Sequence, residues 1–398
     1  MSAQPKIAII GAGIGGLALA AFLSRKGAQV KLYEQAKQFQ RIGAGIQMSP
    51  NAMRVLRALG LEPRLRSLAF QPPAWTNRAW DTGDFLGELN FADAEARYGA
   101  PYLLLHRGDL HTALNSAVPL DLIAFDKRLL GLDCGLGGVT MRFADGTSAT
   151  ADAVIGADGV HSRVRELLFG AEKPVFTGRV AHRTVFPTAL MEGFALDTCT
   201  KWWGPDRHIV MYPVTASRDE TYFVTGVPDP HWNHESWSAE GDMEEVRQAL
   251  AGFHEDVQRV LTASPKVHKW ALFERDPLSR WSDGPIVLLG DACHPMMPHM
   301  AQGGASALED AAILARCLER VDDIEEAFRC YEATRHERTA RLQLTSRENT
   351  WGKHKGDPGW VYDFDAWQTP IAAARPLIWR EKLPGHELEH AHPLTALN

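Results

Sequence analysis

Two short apolar stretches flank a glycine-rich turn at the start of the chain. Residues 6–10 and 29–34 have the β-branched and aromatic content of strands, and residues 17–26 between them have the composition of a helix that ends at Gly27. A strand, a helix and a strand within about thirty residues predict a βαβ unit with two parallel strands.

Two later apolar runs read as further strands of the same sheet. Residues 153–156 lead to Asp158, and residues 285–289 lead to Asp291, each acid standing beside a glycine. Ligands of open α/β sheets bind at the carboxyl ends of the strands. We therefore expect both acids to lie near the first glycine turn, although they are far apart in sequence.

The pattern between these segments is different. Residues 178–275 carry alternating and aromatic runs such as 221–225, which are typical of antiparallel strands. We predict an α/β protein in which a discontinuous Rossmann-like domain (1–72, 100–177 and 276–350) carries an inserted, mostly antiparallel domain (73–99 and 178–275). Residues 305–321 carry one apolar stripe and predict a helix, and 351–398 form a C-terminal segment.

Composition narrows the class of protein. The chain has 398 residues, is 45% hydrophobic and 23% charged, and carries a net charge of −7, so a disordered chain or a nucleic-acid-binding protein is a poor fit. Five scattered cysteines favour a reducing compartment. The uncharged stretch 7–23 approaches the length of a membrane span, but its glycine cluster argues against one. We expect a cytoplasmic protein without a membrane segment.

The first glycine turn carries a dinucleotide-binding pattern. Gly11 permits a tight turn, Gly13 lets the backbone approach a pyrophosphate, and Gly16 allows close packing of helix on strand. Glu34 ends the second strand, where a carboxylate binds a ribose hydroxyl. This pattern serves both NAD and FAD, so a second signal has to decide between them.

That second signal is the run 290–304. Asp291 follows an apolar strand and could hold a polyol hydroxyl, and the helix that begins near Gly303 and Gly304 could stabilise negative charge on a reduced flavin. The run resembles the second flavin motif of the single-component FAD-dependent aromatic hydroxylases, the p-hydroxybenzoate and salicylate hydroxylase family. Asp158 with Gly159 resembles the middle motif of that family, and Arg107 matches the arginine on its flavin side.

The resemblance is closest to the decarboxylating branch that acts on 6-hydroxynicotinate. It implies FAD, NADH and O2 as reactants, a flavin C4a-hydroperoxide as oxidant, and 2,5-dihydroxypyridine and CO2 as products. The segments that carry it are 43–46, 180–183, 201–203, 206–208, 222–228, 294–303 and 360–362. The chain departs from this branch at Gln47, where the branch has a histidine, and a glutamine does not titrate near neutral pH.

The resemblance also implies the site residues. Those that match active-site positions of this branch are Tyr212, His299, His208 and Cys199. From their own chemistry we add Gln47, which could orient the ring by hydrogen bonds, and Arg183, which could attract a carboxylate or the nicotinamide donor. Those for the cofactor are Gly11, Gly13, Gly15, Gly16, Glu34, Gln35, Gln47, Arg107, Asp158, Asp291, Pro298, Gly303 and Gly304. The partners it implies are a small aromatic substrate, NADH and O2, with no nucleic acid, in a monomer or homodimer.

Three alternatives stay open at this point. The same fold could serve a salicylate-type or other hydroxypyridine or hydroxybenzoate hydroxylase, or a flavin dehydrogenase that does not activate O2. Residues 386–390 match the HExxH signature of zinc proteases, but Pro384, Gly385 and Pro393 leave little room for the helix that this signature needs. We therefore expect no metal site.

Overall fold

The computed structural model describes residues 4–41, 43–171, 174–232, 239–353 and 357–374. Its strands in chain order are β1 (Lys6–Ile10), β2 (Gln29–Tyr33), β3 (Gly45–Met48), β4 (Ala74–Ala79), β5 (Phe85–Asn90), β6 (Leu103–His106), β7 (Ile123–Ala124), β8 (Leu129–Gly135), β9 (Gly138–Phe143), β10 (Ser148–Ala151), β11 (Ala153–Gly156), β12 (Val175–Pro187), β13 (Cys199–Trp203), β14 (His208–Pro213), β15 (Glu220–Pro228), β16 (Glu240–Gly241), β17 (Val267–Glu274), β18 (Ser282–Asp283) and β19 (Ile286–Leu288).

The α-helices pack around these strands. In chain order they are α1 (Ile14–Arg25), α2 (Pro50–Ala58), α3 (Glu62–Leu68), α4 (Ala94–Tyr98), α5 (Arg107–Asn115), α6 (Arg163–Phe169), α7 (Met243–Ala249), α8 (Glu255–Ala263), α9 (Gly303–Arg320), α10 (Ile324–Glu348) and α11 (Gly359–Tyr362).

A six-stranded sheet in the order β18–β19–β11–β1–β2–β7 forms the first half of the molecule. All its pairs are parallel except β18 with β19. The chain runs from β1 to β2 on one side and reaches β11 on the other, so the sheet has a topological switch point between β1 and β11, the place where such sheets bind ligands.

An eight-stranded sheet in the order β16–β17–β12–β15–β14–β13–β4–β5 forms the second half. Its pairs are antiparallel except β13 with β4. Because side chains alternate along a strand, Ile209 and Met211 pack on one face against residues of α7 and α8, such as Val246 and Val257, while the other face is free to line a cavity. The predicted α/β fold, with a Rossmann-like sheet and a mostly antiparallel second sheet, is confirmed.

Element ends differ from the sequence prediction in one informative way. Helix α1 starts at Ile14, so it begins within the glycine motif and not after it. Glycine lowers helix propensity, which hid this first turn from a composition-based prediction. Helix α9 starts at Gly303, where the run 290–304 predicts a helix start. The sequence-based domain boundaries remain predictions.

The expectations about membrane segments, metal sites and cysteines can be compared with the described residues only. Within the described ranges, no helix is long and apolar enough to cross a membrane, and no group of three metal-binding side chains lies together. All five cysteines are free thiols. The HExxH match at 386–390 lies outside the described residues.

Candidate active site

A cleft opens at the switch point of the parallel sheet. Gly11 has a φ of +102°, and a Cβ there would collide with the carbonyl oxygen of Ala157 in the loop after β11. A Cβ at Gly16 would collide in the same way with the carbonyl oxygen of Gly11. At Gly13, by contrast, a Cβ would meet no atom within 4 Å. The glycine turn is therefore tight against the protein and open towards the cleft at Gly13, as a pyrophosphate site requires.

The outer part of the cleft lies at the end of β2, in a cavity of about 760 Å³ lined by Gly13, Glu34 and His111 among others. The Glu34 carboxylate accepts hydrogen bonds from the backbone N–H groups of Ala12 and Ala36, at 2.8 Å each. It therefore orders both loops that face the ligand. Gln35 is exposed and does not line this cavity.

Three cavities meet in the middle of the cleft at Arg107, which lines all of them. Gly13, Gly15, Asp291 and Arg107 share the smallest, of about 190 Å³. Arg107 and Asp291 both expose their side chains to the cleft. The surrounding protein nevertheless lowers the pKa of Arg107 by desolvation, which the charge of Asp291 opposes, and desolvation raises the pKa of the Asp291 carboxyl. Charged groups with shifted pKa values that face a cleft are typical of a ligand site.

The N-terminus of α9 faces the same part of the cleft through Gly303 and Gly304. No side chain caps this helix, so its first N–H groups and its positive dipole end are left for a ligand. Gln302, just before the helix, donates to the Ser49 hydroxyl at 3.0 Å and accepts from Asn51 at 3.0 Å. These bonds fix the helix start relative to β3 and α2.

The Asp158 carboxylate is engaged within its own loop. It accepts hydrogen bonds from the Ser162 hydroxyl and from the backbone N–H groups of Arg163, at 2.7 Å, and Val164, at 3.0 Å. It thereby anchors the start of α6. Its neighbours Ala157 and Gly159 line the cleft. A direct contact of Asp158 with a cofactor remains a prediction.

An inner cavity of about 280 Å³ continues from the cleft and lies against the free face of the eight-stranded sheet. The paired positions of β14 and β15 form its floor in successive rows, with His208 beside Gly226, Val210 beside Val224, and Tyr212 beside Tyr222. All six share one face because each lies two residues from the next along its strand. Pro298, which is exposed, and the buried His299 close the side towards the cleft.

His299 has a defined tautomer and an unused acceptor. Its Nδ1 lies 2.7 Å from the carbonyl oxygen of Ser346, so Nδ1 carries the proton and donates it. Its Nε2 is buried and has no hydrogen-bond partner among the described residues. Burial lowers the pKa of His299 to about 4, so the ring is neutral at pH 7 and Nε2 is an available acceptor.

Two further polar groups lie beside His299. The ring of His208 is 5.6 Å from the His299 ring, centroid to centroid, and burial lowers its pKa well below the usual value. The amine of Lys201 donates to the Asn349 side-chain oxygen at 2.7 Å, and the amide nitrogen of Asn349 is 3.5 Å from Nδ1 of His208. Asn349 has a φ of +49° and ends α10. The end of α10 therefore orders both His208 and Lys201.

Gln47 lies at the centre of a buried hydrogen-bonding group. Its Oε1 accepts from the Tyr102 hydroxyl at 2.5 Å, and its Nε2 lies 3.8 Å from the sulfur of Cys199. Burial raises the pKa of Tyr212 well above its usual value, and a hydrogen bond with Gln47 opposes this effect. Burial also raises the pKa of the Cys199 thiol, so Cys199 is a protonated, packed side chain.

Arg183 is the buried cation on the other side of the cavity. Its guanidinium lies 4.6 Å from the centroid of the Trp270 ring, and both residues line the cavity. Burial raises the pKa of Tyr222 to about 12, against the opposing charge of Arg183. This side of the cavity is therefore aromatic and positively charged.

The structure thus brings together every predicted substrate residue, namely Tyr212, His299, His208, Gln47, Arg183 and Cys199, the last through its contact with Gln47. Sequence reasoning did not assign Lys201, Tyr222, Trp270 or Asn349. The first three lie at alternating positions of aromatic strands, a signal that becomes specific only when the register of the sheet is known. No sequence signal pointed to Asn349.

Comparison with known proteins bears on both the cleft and the cavity. A family model described as FAD binding domain matches residues 4–346. The chain belongs to the FAD-dependent aromatic hydroxylase family. It is 49% identical to a 6-hydroxynicotinate 3-monooxygenase of Bordetella bronchiseptica over 94% of this chain and 99% of the relative. It is 48% identical to the Pseudomonas fluorescens protein of the same name, over 93% and 98%.

Solved structures agree with this assignment. A salicylate hydroxylase in complex with its substrate superposes with a TM-score of 0.80 at 27% identity, covering 94% of this chain and 100% of that one. Klebsiella pneumoniae HpxO in complex with FAD and uric acid superposes with a TM-score of 0.78 at 28% identity, over 89% and 90%. FAD is the cofactor of this protein, and the residues of the cleft fit it. The residues that would hold FAD along the cleft are Glu34, Gly13, Arg107, Asp291 and those at the start of α9.

Proposed function

We propose that this protein uses NADH and O2 to hydroxylate 6-hydroxynicotinate with loss of CO2, giving 2,5-dihydroxypyridine. The chain is an FAD-dependent aromatic-ring monooxygenase, and the proposal adds its substrate, its electron donor and the loss of CO2. The observation that carries the proposal is the mostly apolar cavity beside the FAD cleft, where Nε2 of His299 is a buried acceptor without a partner among the described residues. The names of the two relatives near 49% identity support the substrate.

The overall reaction balances with these reactants. One oxygen atom of O2 enters the ring and the other leaves as water, while NADH supplies the electron pair. The chemistry that bound FAD would supply is the activation of O2 by the electron pair from NADH. Attack by the ring carbon that carries the carboxylate lets that carboxylate leave as CO2, since its electron pair restores the aromatic ring.

The chain's own residues orient and activate the ring. A ring hydroxyl that donates to Nε2 of His299 becomes more electron-rich, and the ring carbon para to it becomes a better nucleophile. We assign the same orienting role to the Tyr212 hydroxyl, and we assign a contact with the substrate to His208. Cys199 does not line the cavity, so we assign it an indirect role through its contact with Gln47. Gln47 does not titrate, so it orients Tyr102 and Tyr212 and is not the base.

The cavity also excludes water, which would otherwise promote loss of hydrogen peroxide. Its lining is mostly apolar and includes Trp75, Val210, Val224, Trp270 and Leu272. A dry cavity strengthens each polar contact that remains inside it. Arg183, stacked on Trp270, is the group that we assign to attracting either the carboxylate or the NADH donor.

A substrate panel tests the proposal. Purified holoenzyme is given hydroxypyridine carboxylates, salicylate and other hydroxybenzoates, and NADH oxidation, O2 uptake, hydroxylated product and CO2 are measured together. We expect 6-hydroxynicotinate to give the highest kcat/KM, with one product and one CO2 for each NADH oxidised. A higher kcat/KM with salicylate would refute the choice of substrate. NADH oxidation without any hydroxylated product would refute the monooxygenase reaction and favour a flavin dehydrogenase.

A further inference from the structure

A lysine is buried at one end of the inner cavity. Lys201 is 1% exposed, and its amine lies 3.7 Å from the centroid of the Trp203 ring. One of its three donors is taken by Asn349. No carboxylate in the part of the chain that the structure describes pairs with Lys201. A buried amine without a counter-charge is costly, so its presence in a ligand cavity calls for a functional reason.

The register of the sheet places Lys201 relative to the other cavity residues. Arg183, Val224, Val210 and Lys201 form one row across β12, β15, β14 and β13. Three strand spacings separate the two cations, which puts their backbones about 14 Å apart. The charged ends also lie against different aromatic rings, Arg183 on Trp270 and Lys201 on Trp203, so the two cations occupy different ends of the cavity.

Lys201 is the cation on the side of the predicted catalytic groups. Asn349 contacts both Lys201 and His208, and His208 stands edge to face with His299. Val210, the apolar neighbour of Lys201 in the row, lines the same cavity as Lys201 and His299. A ring bound against Val210 would therefore share the cavity with the free acceptor of His299 and the donors of Lys201.

We propose that Lys201, oriented by Asn349, binds an anionic oxygen of the ring substrate, either its carboxylate or an ionised ring hydroxyl. The choice of ligand class rests on the proposed function. Burial holds the pKa of Lys201 well below its ordinary value, which favours the neutral amine, whereas a bound anion supplies a counter-charge that favours the ammonium form. Lys201 thereby selects ring anions over neutral rings of the same shape.

The first test compares Lys201→Met with Lys353→Met in the FAD-loaded protein. Lys353 is exposed and lies 5.3 Å from the same Trp203 ring, so its loss removes an equal charge outside the cavity. Dissociation constants of 6-hydroxynicotinate are measured from the perturbation of the flavin spectrum. We expect Lys201→Met to raise Kd roughly 10- to 100-fold, the usual effect of losing a hydrogen bond to a charged group. We expect Lys353→Met to stay within about 2-fold.

Two simpler ligands distinguish the sources of the anionic oxygen. Nicotinate has the carboxylate without the ring hydroxyl, and 2-hydroxypyridine has the hydroxyl without the carboxylate. If Lys201 binds the carboxylate, Lys201→Met weakens nicotinate and spares 2-hydroxypyridine; if it binds the ring oxygen, the order reverses. Either result supports the proposal, and an unchanged Kd for all three ligands overturns it.

Asn349→Asp provides a second test that leaves Lys201 intact. Aspartate has nearly the same shape as asparagine and tolerates the left-handed backbone at this position. Its carboxylate would pair with Lys201 and compete with the ligand. We expect the Kd of 6-hydroxynicotinate to rise at least about 10-fold, whereas a merely structural role for Asn349 predicts no change beyond about 2-fold.

The outcomes separate this inference from the proposed function. If wild-type protein binds 6-hydroxynicotinate and both variants bind it equally well, the role of Lys201 is wrong and the function stands. If wild-type protein binds no hydroxypyridine carboxylate, the proposed function is wrong. In that case the comparison is repeated with the aromatic acid of the panel that binds best. If Lys201→Met still prefers this acid over the same ring without its carboxylate, the inference is overturned. The flavin content of each variant confirms that it has folded.

Discussion

His299→Asn isolates the acceptor that the proposed mechanism needs. Histidine 299 uses Nδ1 to donate to the Ser346 carbonyl oxygen and leaves Nε2 free. The amide nitrogen of asparagine occupies nearly the position of Nδ1, so the variant keeps the bond to Ser346 and loses the atom that reaches the ring. His299→Gln has the opposite effect: its amide reaches as far as Nε2, so the variant keeps an acceptor near the ring and loses the bond to Ser346.

The expected size of the effect follows from this geometry. The lost contact is a hydrogen bond to a group that becomes charged as the ring is activated, which is worth about 1.5–3 kcal/mol. At about 1.4 kcal/mol for each factor of ten, kcat/KM falls roughly 10- to 150-fold in His299→Asn. His299→Gln keeps an acceptor near the ring, so we expect a smaller loss, less than about 10-fold.

The assay follows NADH oxidation and product formation in the same reaction, for wild type and both variants. A misplaced ring also leaves more reduced cofactor to release hydrogen peroxide, so the ratio of product to NADH oxidised should fall in His299→Asn. Flavin content and thermal melting of each variant serve as controls for folding. Unchanged kcat/KM together with an unchanged product ratio in His299→Asn would show that Nε2 does not contact the substrate.

Three further predictions concern the cofactor cleft, the core and the pH range. Gly13→Val places a side chain in the cleft where the protein offers no clash, so the variant should fold with an unchanged melting temperature of the apoprotein yet lose the yellow colour of bound FAD; retained flavin absorbance would contradict the site. Arg335→Met removes the cation that bridges the fully buried carboxylates of Glu309 and Asp310, which keep only Arg338 and His294 respectively as charged partners among the described residues. The variant should lower the free energy of unfolding by about 3–5 kcal/mol in urea titrations, and a loss under about 1 kcal/mol would contradict this. Burial and the charge of Lys269 lower the pKa of His182 from 6.5 to about 4, and only the charge of Asp229 opposes them. The contribution of His182 to stability is therefore full above pH 6.5 and is lost as the pH falls to 4, about 3 kcal/mol in all. His182→Asn should flatten the fall in stability over that interval, and an identical profile would count against it.

The cofactor cleft could be predicted from sequence because its signals are local. The glycine turn at 11–16 and the strand-end acids Glu34 and Asp291 each follow a recognisable strand, and the parallel sheet brings strand ends together whatever lies between them. The role of Asp158 is less direct than the motif suggests, since its carboxylate is taken up by the start of α6. A hydrogen-bonding choice of this kind depends on the path of the loop and leaves no pattern in the sequence.

The inner cavity could be predicted only in part, because it depends on pairing across strands. Tyr212 and His208 were found through resemblance, but the row that joins Arg183 to Lys201 exists only when four strands have their final register. A shift of one residue in a single strand would turn its polar side chains towards α7 and α8. The alternation of side chains therefore shows that every second residue of a strand shares one face of the sheet. It does not show which of the two faces lines the cavity.

The contacts made by the last turn of α10 explain how a distant segment controls this cavity. The Ser346 carbonyl oxygen fixes the tautomer of His299, and Asn349, one turn later, orders Lys201 and His208. Helix α10 also carries Arg335, whose ion pairs with Glu309 and Asp310 tie it to α9, the helix that begins at the flavin cleft. The paired helices α9 and α10 therefore position two things: the start of α9 at the cofactor cleft, and the polar atoms of α10 that orient the cavity residues. Because both depend on the same buried ion pairs, a mutation that loosens α10 against α9 should weaken cofactor binding and substrate orientation together, whereas changes within the sheet should affect the substrate alone.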